Sequence, residues 1–392
     1  MHHIQKTIAI DIRLLGKKRT GDEMVFFHLT KEVLNIDTKN QYHLLTDETD
    51  PEKLTLLAER LACTKKHHVN IISLSSKNRF TWNLWVLPRY LFQHQIDVLH
   101  TQYILPLCFP RRTKVALHIH DVSFRAYPQL IHWSDRFFLA LLIGLSLKRA
   151  TMILTPSQFT KDEIIKYYAV TDTKITVLPN AVGEEFLHHT PANDQNTLRI
   201  KKKYRLPEHF ILALGTLQPR KNIPFLLSAF AELQKRLRDT TTDSISPKLV
   251  LAGNRNAHHI DIIIDKSISE HHMEDAVLFP GFIDHTDLPS VIGLADIFVF
   301  PSLYEGFGIP LLEAMSQGVA VAASDIPSLR SVGGDGALYF DPTDIASCAE
   351  ILYTLLIDSE QKKLLIQRGY ERLKFFSWQK SAQLLNDVYN KM

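Results

Sequence analysis

Asp296-Ile-Phe-Val-Phe-Pro-Ser-Leu-Tyr-Glu-Gly-Phe-Gly-Ile-Pro-Leu-Leu-Glu313 changes character halfway. It opens as a strand-like apolar run and then brackets a glycine-rich turn with two carboxylates, Glu305 and Glu313. Pro310 is best tolerated in the first turn of a helix, where its missing N–H costs nothing, so the spacing predicts a helix from about Gly308 to Gln317. Glu305 then lies in the loop, with Glu313 about one turn inside the helix. Leu311, Leu312, Ala314 and Met315 surround Glu313, and the apolar run Val319 to Ala323 follows. A carboxylate in such a helix needs a partner, and a polar ligand would supply one. The free N–H groups at the helix start favour an anion, and Gly306 and Gly308 let the backbone approach it.

Outward from this unit, strand-like and helix-like runs alternate along the whole chain. Strands are predicted at Thr7–Ile12, Tyr42–Thr46, Val69–Leu74, Val98–Thr101, Val115–His120, Met152–Thr155 and Ile175–Leu178. Amphipathic stretches at Glu23–Leu34, Trp82–Gln93, Arg136–Leu147 and Gln158–Tyr168 separate most of them. The second half repeats the pattern, with strands at Phe210–Leu214, Lys248–Ala252, Val277–Phe279, Ile297–Phe300, Val319–Ala322 and Ala337–Phe340. Its helices are predicted at Pro224–Arg236, His258–Ser269, Asp287–Gly293 and Ile309–Gln317. Parallel strands need helical crossovers, so this alternation predicts α/β domains with parallel sheets covered on both faces. The polar stretch Gly183 to Asn196, carrying Pro191, reads as a linker, and Arg238 to Pro247 as an exposed loop. The boundaries are then 1–183, and 184–375 with a final segment 376–392.

The 392 residues exceed one typical domain, and two of roughly 180 residues could each form a full core. Lysine and arginine total 45 against 42 carboxylates. A net charge of +3 is too small and too dispersed to argue for a nucleic-acid partner, and no nucleic-acid-binding motif occurs. Cys63, Cys108 and Cys348 are far apart, with no C-x-x-C pair, so neither a disulfide framework nor a zinc site is expected. With no apolar leader at the N-terminus, the expected location is cytoplasmic. The longest apolar run, Phe137 to Leu147, falls short of the ~20 residues that cross a bilayer.

Glu305 to Glu313 resembles the E-x7-E signature of glycosyltransferase family 4, retaining nucleotide-sugar-dependent transferases with the GT-B fold. Gly215-Thr-Leu-Gln-Pro-Arg-Lys-Asn222, Gly253, Pro280-Gly-Phe282, Ala295-Asp296, Pro301-Ser302 and Asp341-Pro342 resemble that family's C-terminal domain in order and spacing. His118-Ile-His-Asp121, Tyr127-Pro128, Thr155-Pro-Ser157 and Val177-Leu-Pro-Asn180 resemble landmarks of its N-terminal domain. The resemblance implies two Rossmann-like, doubly wound domains facing each other across a cleft. The N-terminal one would bind the acceptor and the C-terminal one the nucleotide sugar. Phe376-Ser-Trp378 followed by Ser381–Tyr389 resembles the helix that crosses back onto the N-terminal domain.

The resemblance also implies roles. Arg220 and Lys221, with the backbone of Gly306, Phe307 and Gly308, would bind the donor diphosphate, whose departure needs stabilised negative charge. Glu313 would take the ribose hydroxyls and Glu305 the donor-sugar hydroxyls. His120 would face the donor sugar near the reacting carbon, so His120 and Glu305 are the catalytic candidates. Gly16 to Gly21 matches the N-terminal loop near donor and acceptor, although Lys17-Lys-Arg-Thr20 replaces the usual compact glycine pair. Retention in the family is normally ascribed to front-face attack, with the leaving phosphate taking the acceptor proton. No enzymic nucleophile and no metal or other cofactor is then expected. The donor would be a hexose nucleotide, with mannose from GDP-mannose suggested by the His-Asp and Tyr-Pro landmarks. The acceptor would be a glycan or lipid-linked hydroxyl in cell-surface polysaccharide or glycolipid synthesis. Two other classes stay open: a nucleotide-sugar epimerase on the same scaffold, and a sugar-nucleotide-binding protein without turnover.

Several features carry plainer readings. Arg220-Lys221 alone would read as a solvated pair, and its place between Gly215 and the helix at Pro224 raises it to a site. His118 and His120 share a strand face, a metal geometry with Asp121 that lacks a third ligand. Arg79-Phe-Thr-Trp-Asn-Leu-Trp85 with Arg89 reads either as core or acceptor-cleft lining or as a peripheral membrane contact. Ser324 to Gly333 departs from the family pattern, with Ser331 where a Glu is expected.

Overall fold

The computed structural model describes residues 5–17, 21–130, 133–187, 194–240, 246–253, 255 and 262–392. The chain divides into two compact units, Met1–Asn180 with Ser377–Met392, and Ala181–Phe376.

In the first unit seven strands form one sheet: β1 (Thr7–Asp11), β2 (Gln41–Thr46), β3 (Val69–Ser73), β4 (Val98–Gln102), β5 (Lys114–His118), β6 (Met152–Thr155) and β7 (Ile175–Val177). Their order is β3-β2-β1-β4-β5-β6-β7, with every pair parallel. The second unit holds β8 (Phe210–Leu214), β9 (Lys248–Ala252), β10 (Val277–Gly281), β11 (Ile297–Phe300), β12 (Ala320–Ser324) and β13 (Ala337–Phe340). They run β10-β9-β8-β11-β12-β13, again all parallel. Both are doubly wound orders in which the chain reverses direction across the sheet between two central strands. That switch point opens a crevice at the carboxyl ends of those strands. It falls between β1 and β4 in the first unit and between β8 and β11 in the second.

The second sheet is buried on both faces, which is why its strands read as unbroken apolar runs. Along β11, Phe298 and Phe300 enter one core with Leu311, Leu312 and Met315, while Ile297 and Val299 enter the other with Phe230 and Leu352. Alternate side chains of one strand thus anchor helices on opposite sides.

The final helix, Trp378–Lys391, packs within the first unit. Ser377 caps it, accepting from Lys380 N. Trp378 stacks on His28 at 5.1 Å, and the Tyr389 hydroxyl lies 2.6 Å from His100 Nδ1. The last residues of the chain therefore complete the core of the first unit.

Two readings of the sequence are corrected. β5 ends at His118, so His120 stands two residues beyond the strand. The expected linker begins inside the second unit's core, because Phe186 is fully buried with Ile200 and Phe210; residues 188–193 lie outside the described ones. Of the helix expected at His258–Ser269, the described residues show Ile263–Glu270; residues 256–261 lie outside the described ones. A helix at Pro51–Arg60 went unread, although Asp50 caps Glu52 N and Pro51 takes the first turn.

Candidate functional site

In the second unit the strand ends meet through glycine. Gly215 and Gly253 adopt φ of 140° and 157°, and a Cβ on Gly253 would lie 1.9 Å from Gly215 O. Only glycine lets the two backbones approach so closely. The chain then makes one tight turn, Pro219–Lys221, closed by Asn222 at φ 56°. Leu303 N donates to Arg220 O at 2.8 Å, which ties this turn to the loop after β11.

Arg220 and Lys221 are thereby brought to Glu305. Lys221 Nζ donates to Glu305 Oε1 at 2.6 Å, and Arg220 Nη1 to Oε2 at 3.0 Å. Lys221 also lies 4.7 Å over the Phe300 ring. Glu305 is 8% exposed. Burial alone would raise its pKa, but Arg220 and Lys221 outweigh that and hold it at about 2. Two cations converge on one carboxylate beside the start of the helix Ile309–Ser316. That combination attracts an anion. Gly308 starts the helix at φ 108°, where a Cβ would sit 2.6 Å from Leu329 Cδ2. Phe307 is buried edge-on against Phe376 at 5.5 Å, so its backbone is what it can offer a ligand.

Glu313 lies one turn into this helix and is half-buried. Burial, and then the Glu185 carboxylate, push its pKa up to about 8. Glu185 is itself paired with His285 Nε2. Sequence reasoning missed Glu185 and His285, because one lies in the expected linker and the other in an unremarkable polar turn.

The first unit builds its switch point from the ends of β1, β4 and β5. Asp11 is buried and holds Arg13 through two bonds of 2.9 Å, Nε to Oδ1 and Nη2 to Oδ2. Trp82 Nε1 and Thr101 Oγ1 also donate to Asp11, at 3.2 and 3.3 Å, while Arg13 lies 4.4 Å over the Trp82 ring. Asp11, Arg13 and Thr101 carried no sequence motif and went unread as site residues, while Trp82 was read only within the Arg79 to Trp85 stretch, as core or cleft lining or a membrane contact. Gly16, at φ 82°, donates its N–H to the buried Glu23 at 2.9 Å, and Gly21 opens the helix Gly21–Ile36. Residues 18–20 between them lie outside the described ones.

His120 is buried, with Nε2 3.1 Å from Gln102 Oε1 and Nδ1 3.9 Å from Asp22. Its ring stacks on His118 at 4.4 Å, and His118 stacks on His100 at 5.8 Å. Phe26 packs against all three. Parallel stacking aims ring edges along the stack planes rather than at one shared point. Among the described residues no His, Cys, Asp and Glu side chains form a metal-holding group of three.

A doubly wound unit with a cation-bearing turn and an E-x7-E helix at its switch point is one half of a GT-B glycosyltransferase, and the first unit supplies a second doubly wound half. The model of the glycosyl transferases group 1 matches residues 194–372, and that of glycosyltransferase family 4 matches residues 25–186. An O-antigen chain mannosyltransferase B from Escherichia coli is 32% identical over 279 residues, 70% of each chain. The O-antigen chain mannosyltransferase RfbU of Salmonella typhimurium is 28% identical over 86% of this chain and 87% of its own. Sucrose-phosphate synthase from Thermosynechococcus elongatus has the same fold, with a TM-score of 0.75 over 99% of both chains at 19% identity. The chain belongs to the group 1, family 4 glycosyltransferases and is a transferase enzyme of GT-B fold.

Proposed function

We propose that this enzyme moves mannose from GDP-mannose, with retention of configuration, to a hydroxyl of a glycan or lipid-linked acceptor during cell-surface polysaccharide synthesis. Transfer would take place on the cytoplasmic side of the membrane. The observation that carries the reading is the joining of Arg220, Lys221 and Glu305 at the switch point of the second unit. Two mannosyltransferases among the relatives support the choice of sugar.

In this reading the donor diphosphate takes over Arg220 and Lys221 together with the amides of Gly306, Phe307 and Gly308. Cations fixed before the reaction stabilise the charge that develops on the leaving phosphate. Glu305, released from its cations, accepts from the hydroxyls of the sugar. Glu313 accepts from the ribose hydroxyls. His120, held by Gln102, and the Gly16 to Gly21 loop are the first unit's candidates for the sugar and the acceptor. No cofactor enters the scheme.

The test is incubation with GDP-mannose and a mannose-ended oligosaccharide, with the new linkage read by NMR. A product with an α-anomeric signal supports the reading. Transfer from a UDP-sugar but not from GDP-mannose would overturn the donor assignment, and conversion of the donor without any acceptor would point to an epimerase.

A further inference from the structure

Beside Glu313 the second unit holds a further carboxylate that the transfer scheme leaves unused. Glu185 lies in the short turn Glu184–Phe186, which Phe186 anchors twice over. The Phe186 ring is fully buried in the core with Ile200 and Phe210. Its carbonyl accepts from Gln317 Nε2 at 3.0 Å, and Gln317 directly follows the helix Ile309–Ser316. The same ring lies 6.3 Å from the His285 imidazole, whose Nε2 pairs with Glu185 Oε1. The turn and the loop after β10 thus hold one carboxylate near enough for Glu313 to feel its charge. Gly183 leaves the room for it, since a Cβ there would lie 2.5 Å from Glu185 Oε2. The Glu185 and His285 side chains keep 26% and 19% of their surface exposed, so a ligand can reach both.

Order along the helix says which part of a ligand they meet. Arg220, Lys221 and the amides of Gly306 to Gly308 stand at its start, where a diphosphate is expected. Glu313, the ribose candidate, follows about 7.5 Å further along the axis at ~1.5 Å per residue. Glu185 and His285, tied through Phe186 to Gln317 at the far end, come third. Diphosphate, ribose and base follow one another in the same order in a nucleotide.

Bases differ in what they show a carboxylate. Guanine carries two adjacent donors, N1–H and its 2-amino group. Uracil sets one N–H between two carbonyls, and adenine sets its amino group beside a ring-nitrogen acceptor. A carboxylate has two oxygens with several acceptor positions, so it can take both guanine donors while keeping His285. Against uracil or adenine, acceptor would face acceptor. Two neighbouring carboxylates also disfavour each other's charge, and a ligand that donates to both offsets this.

We propose that Glu185, positioned by His285, selects guanine in the donor nucleotide by accepting from N1–H and the 2-amino group. This deepens the proposed function and rests on its choice of a guanosine donor.

The experiment is calorimetric titration of GDP, IDP and UDP into the full chain as wild type, Glu185→Gln and His285→Ala, with inorganic pyrophosphate as a base-free control. IDP is GDP without the 2-amino group. The wild type should prefer GDP over IDP by about tenfold or more. Glu185→Gln should bring that ratio close to unity while pyrophosphate binds as before, and His285→Ala should lower it. Removing the Glu185 charge also eases ionisation of Glu313, but this acts on every ribonucleotide alike and cancels in the ratio. If the wild type prefers GDP over UDP yet Glu185→Gln keeps the GDP-to-IDP ratio, the role of Glu185 is overturned and the guanosine donor stands. A wild type that does not distinguish GDP from IDP overturns that role as well. Equal binding of GDP and UDP by the wild type overturns the guanosine donor, and the role of Glu185 falls with it. Should Glu185→Gln fail to bind pyrophosphate, the ratio in His285→Ala decides in the same way.

Discussion

Lys221 Nζ lies 2.6 Å from Glu305 Oε1, and this contact joins the loop after β8 to the loop after β11 across the switch point of the second sheet. The carboxylate holds the two cations that the proposed donor diphosphate would claim. Glu305→Gln removes that competition and, in the proposed scheme, replaces the charged acceptor for sugar hydroxyls with a weaker neutral amide oxygen. The variant should bind GDP at least as tightly as the wild type while transfer slows by about 100-fold. Titration of GDP alongside initial-rate assays checks both, and weaker GDP binding with unimpaired transfer would contradict the scheme.

Glu313 should make donor binding and stability depend on pH in opposite directions. Its folded pKa of about 8 lies above the ordinary glutamate value of 4.5, so folding takes up a proton between those values. Stability from this group is full below about pH 4.5 and is lost as pH rises through 8. Glu313→Gln should therefore raise the unfolding midpoint at pH 8.5 relative to wild type and lose that advantage by pH 5. A nucleotide whose ribose hydroxyls need the carboxylate should bind the wild type more tightly as pH rises, releasing a proton. Calorimetry in two buffers of different ionisation enthalpy measures that proton.

The imidazole stack of the first unit should have the opposite sign. Burial first, and then neighbouring imidazoles, hold His100 at about 3 and His118 well below its ordinary 6.5. Both are neutral in the folded chain and charged once unfolded at mildly acid pH. Their contribution is full above pH 6.5 and is lost as pH falls toward 3, by roughly 1.4 kcal/mol per pH unit for each group. His118→Phe keeps the apolar stack and should flatten the decline measured by urea unfolding between pH 7 and 5. An unchanged slope would contradict this.

Gly253→Ala should be among the most damaging single changes outside the ligand contacts. The new Cβ meets backbone, Gly215 O at 1.9 Å, at a φ of 157°. A loss of roughly 3 kcal/mol or more is expected by urea unfolding, with GDP affinity falling in the fraction that folds.

Most of the framework was legible because parallel strands buried on both faces leave a strong apolar signature. β8, β9, β11 and β13 fall at the residues the sequence indicates. The Glu305 to Glu313 unit was legible for a different reason, since Gly308 and Pro310 each have few structural uses and both mark one helix start. Long-range pairing left no such trace. Nothing in the sequence links Asp11 to Trp82 and Thr101, 71 and 90 residues away. Glu185 escaped because a polar segment reads as linker until the burial of Phe186 shows it packed. His120 was placed on a strand because Val115 to His120 continues the apolar alternation past the last ladder bond.

The most direct test of the central claim is calorimetric titration of GDP, with UDP and ADP for comparison, into the wild type and into Arg220→Ala with Lys221→Ala. The account predicts selective GDP binding by the wild type and a loss of at least about tenfold, or 1.4 kcal/mol, in the double variant. Equal GDP affinity in a double variant that still unfolds cooperatively would contradict it, because the diphosphate would then be held somewhere other than the switch point of the second sheet.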